Sequence, residues 1–199
     1  MRVIAGTLRG RRLRAPPGRG TRPTSDRVRE AVYSVLGSLL DLEGTSVVDL
    51  YAGSGAMGIE ALSRGAASVV FVDNAPAACR ALEANLGSLG LSERGRIVRQ
   101  DVLRYLDTAP RFDVALCDPP YDFDAWDDVL SRLDAGVAVL ESSRPPPVPD
   151  GWKTVKNKRY GGTLVTVARP IGASSTGSTS ATGRASPTSP TSEEGNGTP

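Results

Sequence analysis

The chain has 199 residues, of which 39% are hydrophobic and 23% are charged, and its formal net charge is +2. This length suits one domain of roughly 170 residues with one substantial core, plus an appendage. The chain has no histidine, which removes the commonest metal ligand and the commonest general base, so we predict no metal site.

Apolar runs and cysteines indicate the compartment. No run reaches membrane-spanning length, and the first residues lack the apolar core of a secretion signal, so we expect a cytoplasmic protein, most simply a monomer. Cys79 and Cys117 lie in separate apolar stretches, and we expect both to be buried free thiols.

The charge is unevenly distributed. Residues 1–29 hold nine arginines against one acid, Asp26, which sums to +8 and leaves −6 for residues 30–199. A basic arm on an acidic domain predicts a polyanionic partner, although a solvated and loosely ordered arm would have the same composition.

The N-terminal arm comes first along the chain. Residues 2–14 predict a small hairpin around two glycines. Ser25 is the expected N-cap of a helix that runs to about Leu40. We therefore divide the folded chain into an arm at 1–43 and a main domain at 44–170.

Strands and helices then alternate. Strands are predicted at 47–51, 69–72, 96–99, 114–117 and 137–140, helices through Leu62 and from about Ala75 to Leu86, and an antiparallel hairpin from 153–156 and 164–167. The alternation predicts a mostly parallel α/β sheet covered on both faces, which binds ligands at the carboxyl ends of its strands. The tail at 171–199 is rich in Ser, Thr, Gly, Ala and Pro and is expected to be disordered.

A glycine-rich turn follows the first strand of the main domain. Residues 53–58 fit the G-x-G-x-x-G template, which both NAD and S-adenosylmethionine folds can use to approach an adenosine-bearing cofactor. Asp49, within the strand, favours S-adenosylmethionine, because a carboxylate attracts an ammonium or sulfonium and repels a pyrophosphate. Asp73 and Asp101 follow the next two strands and would hold ribose hydroxyls and the adenine amine, although an Asp there can also cap a turn. The expected cofactor-binding residues are Asp49, Tyr51, Ala52, Gly53, Ser54, Gly55, Asp73, Asn74, Asp101, Val102 and Asp118.

The segment Asp118-Pro119-Pro120-Tyr121 directly follows the fourth strand. Two prolines remove two backbone donors and leave the carboxylate and the carbonyls as acceptors. Acceptors at Asp118 and the Pro119 carbonyl can hold both hydrogens of an exocyclic base amine, direct its lone pair at a methyl group and stabilise the developing positive charge. Tyr121 offers a flat face to a base that is unpaired or flipped out. These four residues are the candidate catalytic residues; the structural alternative is a rigid Pro-Pro turn capped by Asp118.

The arrangement resembles the class I (Rossmann-like) methyltransferases with a [DN]-P-P-[YF] loop and, within them, the bacterial 16S ribosomal RNA (guanine(966)-N(2))-methyltransferase family. The resemblance covers about residues 1–168 and is carried by segments 2–6, 10–13, 21–30, 49–55, 60–66, 118–121 and 160–161. It implies a seven-stranded sheet with an antiparallel last strand, S-adenosylmethionine as cofactor, and methylation of a guanine N2 amine on the assembled small subunit.

The same resemblance assigns the basic arm to RNA and places Arg22-Pro23-Thr24 over the cofactor. The RNA-binding candidates are Arg2, Arg9, Arg11, Arg12, Arg14, Arg22, Arg27 and Arg29. Two departures stand out: the ribose position, here Asp73, is more usually Glu in the family, and residues 144–149 are Pro-rich where a helix is expected.

Other functions share parts of this pattern. The Asp-Pro-Pro-Tyr loop suits an adenine N6 amine of RNA or DNA equally well, and protein-glutamine methyltransferases use a similar loop, typically with Asn first. The glycine template alone would fit an NAD-dependent oxidoreductase, and the basic arm alone a non-catalytic RNA-binding module. The choice of guanine over adenine rests on the family resemblance.

Overall fold

The computed structural model describes residues 1–16, 26–120 and 122–172. Its elements are α1 (Asp26–Leu39), β1 (Ser46–Leu50), α2 (Ala56–Ser63), β2 (Ser68–Asp73), α3 (Pro76–Leu89), β3 (Gly95–Arg99), α4 (Val102–Leu106), β4 (Phe112–Cys117), α5 (Trp126–Arg132), β5 (Ala135–Ser142), β6 (Trp152–Tyr160) and β7 (Thr163–Pro170). Every predicted strand and helix of the main domain is present. The expected N-cap Ser25, the Arg22-Pro23-Thr24 segment, Tyr121 and the tail beyond Gly172 lie outside the described residues.

The seven strands form one sheet in the order β3-β2-β1-β4-β5-β7-β6. The first five strands in this order are parallel to one another, and β7 pairs antiparallel with both β5 and β6. The strand order reverses between β1 and β4, which is the position where open α/β sheets leave a crevice for ligands. The predicted mostly parallel sheet with an antiparallel last strand is confirmed.

Helices cover both faces of the sheet, and each face has its own apolar cluster. On one face, α1, α2 and α3 pack over the inward side chains of the strands, among them Val47, Phe71 and Leu116. On the other, α4 and α5 pack over a set that includes Val48 and Leu50. Because both faces are covered, the central strands are apolar at nearly every position, which is the pattern that predicted them.

The N-terminal arm joins the first of these clusters. A single antiparallel bridge between Arg2 and Arg12 closes the predicted hairpin. Val3 and Leu13 are buried in the same cluster as the core of the main domain. The arm is therefore packed into the sheet's helical layer.

The short helices α4 and α5 were not predicted. They span five and seven residues, too few for an apolar stripe to repeat at helical spacing. The Pro-rich crossover between β5 and β6 carries no helix, as its composition predicts.

Two smaller predictions can be compared with the structure. Cys79 and Cys117 are both buried and free. None of the described helices is long and apolar enough to cross a membrane.

Candidate active site

A cavity of about 930 Å³ opens at the carboxyl ends of β1, β2, β4 and β5. This volume lies in the upper part of the range of small-molecule and cofactor sites. The predicted site residues that line it are Asp49, Tyr51, Ala52, Gly53, Ser54, Asp73, Asn74, Asp118, Pro119 and Pro120. Gly55, Asp101 and Val102 do not line it, and Tyr121 lies outside the described residues.

The glycine loop brings backbone close to this cavity. Gly55 has a left-handed φ of 77°, and a Cβ there would lie 2.3 Å from Leu82 Cδ2. Gly58 lies within α2, where a Cβ would meet Phe71 Cε1 at 2.4 Å. The template glycines therefore serve a left-handed turn and the close packing of α2 on β2, as a nucleotide-type loop requires.

Asp49 is the buried carboxylate at the base of the cavity. Its Oδ2 accepts a hydrogen bond from the Gly58 N–H at 2.8 Å, near the start of α2. Burial raises the pKa of Asp49 well above its usual value, the Gly58 hydrogen bond opposes this, and the carboxylates of Asp118 and Asp73 add to it. A cation bound in the cavity would relieve this crowding of negative charge.

Asp73 organises two loops at the rim. One carboxylate oxygen accepts from the Gly53 N–H and the other from the Ala75 N–H, each at 2.8 Å. Both oxygens keep a further lone pair, and the side chain lines the cavity. The shorter Asp thus holds the glycine loop and still presents acceptors to a ligand.

Asp118, Pro119 and Pro120 extend the cavity wall from the end of β4. Asp118 is half-buried and Pro119 is buried. The Pro120 carbonyl accepts from the Phe123 N–H at 3.0 Å, which closes the turn. Phe123 in turn packs against Tyr51, with ring centroids 5.3 Å apart, so the loop is braced against the β1 end.

Asp101 caps α4. Its Oδ1 accepts from the Arg104 N–H at 3.1 Å, and the residue is exposed. The turn-capping role that the sequence left open is thus present in the structure. A contact from Asp101 to adenine remains a proposal.

The cavity also contains charged residues that the sequence analysis missed. Glu141 lies at the end of β5, and Lys158 and Arg159 lie at the end of β6. Glu141 directly follows the apolar run 137–140, as Asp118 follows the run 114–117, so the same pattern of an acid after a buried strand could have revealed it.

Side chains of α2 and α3 hold the N-terminal arm in place. Glu60 accepts from the Ile4 and Ala5 N–H groups at 2.8 and 2.9 Å, and Ser63 donates to the Ala5 carbonyl at 2.6 Å. Asn85 accepts from the Arg14 N–H at 2.8 Å and donates to the Ser54 carbonyl at 2.9 Å. Asn85 thereby ties the arm to the glycine loop.

The prediction that Arg29 contacts RNA is wrong. Its side chain is fully buried, donates to Asp26 Oδ1 at 3.0 Å and to the Arg2 carbonyl at 2.5 Å, and lies 3.7 Å from Glu60. Arg29 instead neutralises buried charge where α1, α2 and the arm meet. The helical spacing predicted an apolar face there and did not indicate a buried cation.

Six of the other candidate arginines of the arm are exposed and available to a partner. The exposed members are Arg2, Arg9, Arg11, Arg12, Arg14 and Arg27, while Arg22 lies outside the described residues. Arg27 also lines the cavity. A second basic segment, which we call the β6 basic strand, is formed by Lys153, Lys156, Lys158 and Arg159, all exposed.

The fold and site together define the class. A seven-stranded sheet with this strand order, a glycine loop after β1, acids at the ends of β1 and β2, and an Asp-Pro-Pro loop after β4 are those of a class I, Rossmann-like methyltransferase. A solved structure of yhhF from Escherichia coli superimposes with a TM-score of 0.75 at 29% identity, covering 85% of this chain and 97% of that one.

The family follows from the sequence comparisons. The family model described as "Conserved hypothetical protein 95" matches residues 1–169, and the chain belongs to that family. The chain is 34% identical to the ribosomal RNA small subunit methyltransferase D of Haemophilus influenzae over 174 residues, which is 81% of this chain and 89% of the relative. It is 37% identical to YlbH of Bacillus subtilis (strain 168) over 161 residues, 75% of this chain and 86% of that protein.

Proposed function

We propose that the protein transfers a methyl group from S-adenosylmethionine to the exocyclic N2 amine of one guanine in 16S ribosomal RNA, in the cytoplasm, on the assembled small subunit. The observation that carries the proposal is the convergence of Asp118 and Pro119 with Asp49 on one cavity at the switch point of the sheet. The name of the Haemophilus influenzae relative supports a small-subunit ribosomal RNA substrate, and the family resemblance supports the guanine N2 position.

The residues present fit the cofactor. Asp49 is a buried carboxylate at the cavity base and suits the ammonium or sulfonium charge. Asp73 presents acceptors to ribose hydroxyls at the rim, and the loop from Tyr51 to Ser54 allows backbone contact. When bound, the cofactor supplies an electrophilic methyl group on a positively charged sulfur.

The chain's own contribution to the reaction is positioning and charge stabilisation. The Asp118 carboxylate and the Pro119 carbonyl accept the two hydrogens of the amine, which leaves its lone pair pointing at the methyl group. As positive charge develops on the nitrogen, the Asp118 carboxylate stabilises it, and the methylated nitrogen then loses one of its two protons to that carboxylate or to water. The consecutive prolines keep the loop rigid, so little reorganisation is needed when the reaction occurs.

The two basic segments support an RNA substrate. The N-terminal arm presents exposed arginines, and the β6 basic strand adds four exposed cations in a stretch of nine residues. Both segments contribute to the cavity lining, the arm through Met1 and Ala15 and β6 through Lys158 and Arg159. A polyanion held by both segments would therefore lie against the cavity.

The test is methyl transfer from labelled S-adenosylmethionine to small subunits purified from a strain that lacks the relevant methyltransferase, followed by mass mapping of the modified nucleoside. We expect N2-methylguanosine at one position. Asp118→Ala should lower turnover by at least about 100-fold while the Kd for the cofactor changes little. A product methylated at adenine N6, or an unchanged turnover for Asp118→Ala, would contradict the proposal.

A further inference from the structure

Glu141 occupies a position equivalent to Asp118 on the neighbouring strand. Leu140 of β5 pairs with Cys117 of β4, so Glu141, near the end of β5, and Asp118, directly after β4, come next at the same level of two strands whose axes lie about 4.8 Å apart. Asp49 pairs with Leu116, two residues before Asp118, so all three acids extend from the same face of the sheet. All three line the cavity.

Glu141 is a buried acid whose hydrogen-bonding capacity the described residues leave unused. The residue is 4% exposed, and its Oε1 accepts no hydrogen bond from any part of the chain that the structure describes. Burial raises the pKa of Glu141 well above its usual value, Asp118 and Asp49 add to this, and Arg29 opposes it. Such a group needs a hydrogen-bond donor from outside the described residues, such as a bound ligand or an ordered water.

No residue that the structure describes supplies the missing hydrogen bond. Arg29 lowers the pKa of Glu141, but no hydrogen bond joins the two side chains: Arg29 Nη2 donates to Asp26 and to the Arg2 carbonyl, and Nε and Nη1 have no hydrogen-bond partner among the described residues. Within residues 1–16, 26–120 and 122–172, no group of His, Cys, Asp or Glu side chains could hold a metal ion. A ligand in the cavity that carries an N–H donor would satisfy the Oε1 atom.

The edge of the target base provides such a donor. In guanine the N2 amine is flanked by N1–H, a donor, whereas in adenine the N6 amine is flanked by N1, an acceptor. If the amine lies at Asp118 and Pro119, one of the two ring nitrogens beside it, N1 or N3, lies towards the next acid along the sheet edge, and only N1 carries a hydrogen that this acid can accept. Resting on the proposed function, we propose that Glu141 accepts a hydrogen bond from guanine N1–H and thereby makes the site specific for guanine over adenine.

The proposal separates specificity from methyl transfer. An ionised Glu141 carboxylate would repel the N1 lone pair of adenine, and neither group would receive a hydrogen-bond donor. A site built around a hydrogen bond strongly rejects an analogue that cannot form it. The Asp118-Pro119 acceptors fit either amine. Asp118 and Pro119 therefore act on the amine, and Glu141 reads the atom beside it.

The test uses 16S RNA ligated from segments, carrying guanine or 2-aminopurine at the mapped target position and reconstituted into small subunits. 2-Aminopurine keeps the amine but has an acceptor at N1. Wild-type protein should prefer guanine by at least about 100-fold in kcat/KM. Glu141→Gln, which can donate to an N1 acceptor, should lower the guanine rate and reduce that preference at least about tenfold.

Two further variants control the result. Glu93→Gln makes the same change at an exposed position before the amino end of β3 and should behave as wild type. Glu141→Met keeps a similar volume without an acceptor and should lose activity on guanine without gaining 2-aminopurine. Cofactor Kd and the thermal midpoint of each variant report whether it is folded.

The outcomes distinguish the two proposals. If Glu141→Gln keeps the wild-type preference for guanine over 2-aminopurine, whatever its absolute rate, the role of Glu141 is overturned while the proposed function stands. Gln also imitates a protonated acid, so an unchanged preference would equally reject an ionised Glu141 as the reader of N1–H. If wild-type protein transfers no methyl group to the guanine substrate, the proposed function fails first, and the inference fails with it.

Discussion

At the scale of single residues, the site concentrates acids where burial makes them costly. Burial raises the pKa of both Asp49 and Glu141, and the nearby carboxylate of Asp118 raises it further. Hydrophobic side chains of similar size would fill the same space without this cost. The acids therefore reflect what the cavity must bind and not what stabilises the fold.

This cost has a definite pH dependence. The folded-state pKa of Glu141 is raised above its unfolded value of about 4.3, so the native state binds its proton more tightly. Below the unfolded pKa the Glu141 carboxyl is protonated in both states, and its ionisation costs no stability. As pH rises through the folded pKa, the free energy of unfolding falls, because the buried group must ionise or keep a proton that the unfolded state releases. We expect Glu141→Gln to be more stable than wild type at pH ~8, with the difference shrinking towards pH ~4.5.

Urea unfolding of both proteins across this pH range measures the difference. Glu93→Gln serves as the reference, because that carboxylate is exposed. A difference between Glu141→Gln and wild type that stays constant with pH would show that the Glu141 carboxyl does not titrate with a raised pKa in the folded protein.

At the scale of elements, α2 is the piece that joins the arm, the glycine loop and the sheet. Its Gly58 packs on β2, its Glu60 binds the backbone of residues 4 and 5, and its Ser63 binds residues 5, 7 and 8. All eight of its residues are buried. Because α2 follows the glycine loop directly, any shift of this helix would move the loop and the arm together.

The packing of α2 can be tested with two glycine substitutions in helices. Gly58→Ala places a methyl group 2.4 Å from the Phe71 ring, and we expect a loss of about 1–3 kcal/mol in the free energy of unfolding. Gly37→Ala in α1 meets nothing within 4 Å and should stabilise the protein by about 0.5–1 kcal/mol.

Denaturant titrations of the two variants, together with cofactor Kd, provide the measurement. Gly58→Ala should also weaken cofactor binding, because the displaced helix carries the Gly58 N–H that Asp49 binds. Equal stabilisation by both substitutions would mean that α2 can move away from β2 without penalty.

At the scale of the whole molecule, the positive charge lies in two segments that are far apart in sequence. The arm packs on α2 and α3, whereas the β6 basic strand lies at one edge of the sheet, beyond β7. Lysines on an edge strand also discourage strand pairing between molecules. Protection against strand pairing does not explain why Lys158 and Arg159 also line the cavity.

Paired charge reversals separate these roles. Two double variants are compared: Arg11→Glu with Arg12→Glu, and Lys153→Glu with Lys156→Glu. Each should weaken the affinity for small-subunit RNA and make it less dependent on salt. The slope of log affinity against log salt should flatten by about 0.7–0.9 for every phosphate that the variant no longer neutralises. Arg96→Glu with Arg111→Glu, next to the amino ends of β3 and β4, is the matched control and should have little effect. An unchanged salt dependence for the β6 pair would leave that strand only its role against aggregation.

Much of the architecture and part of the site could be predicted from the sequence, because both depend on local pattern. Apolar runs separated by helical segments define the central strands, and a glycine or an acid directly after a buried strand must lie at the carboxyl edge of a parallel sheet. This reasoning correctly brought Asp49, Asp73 and Asp118 to one cavity. The same pattern, an acid directly after an apolar run, also marks Glu141, which the sequence prediction did not include.

The rest depends on contacts between segments far apart in the chain, which local pattern does not encode. Arg29 resembles its exposed neighbours in the arm, yet the packing of α1 against α2 buries it beside Glu60. Asp101 resembles the other strand-end acids, yet it caps α4 outside the cavity. The sequence by itself determined the order of the elements and the class of chemistry. Only the tertiary structure decided which charges face solvent, which face the cavity and which are buried, because burial depends on what packs above each residue.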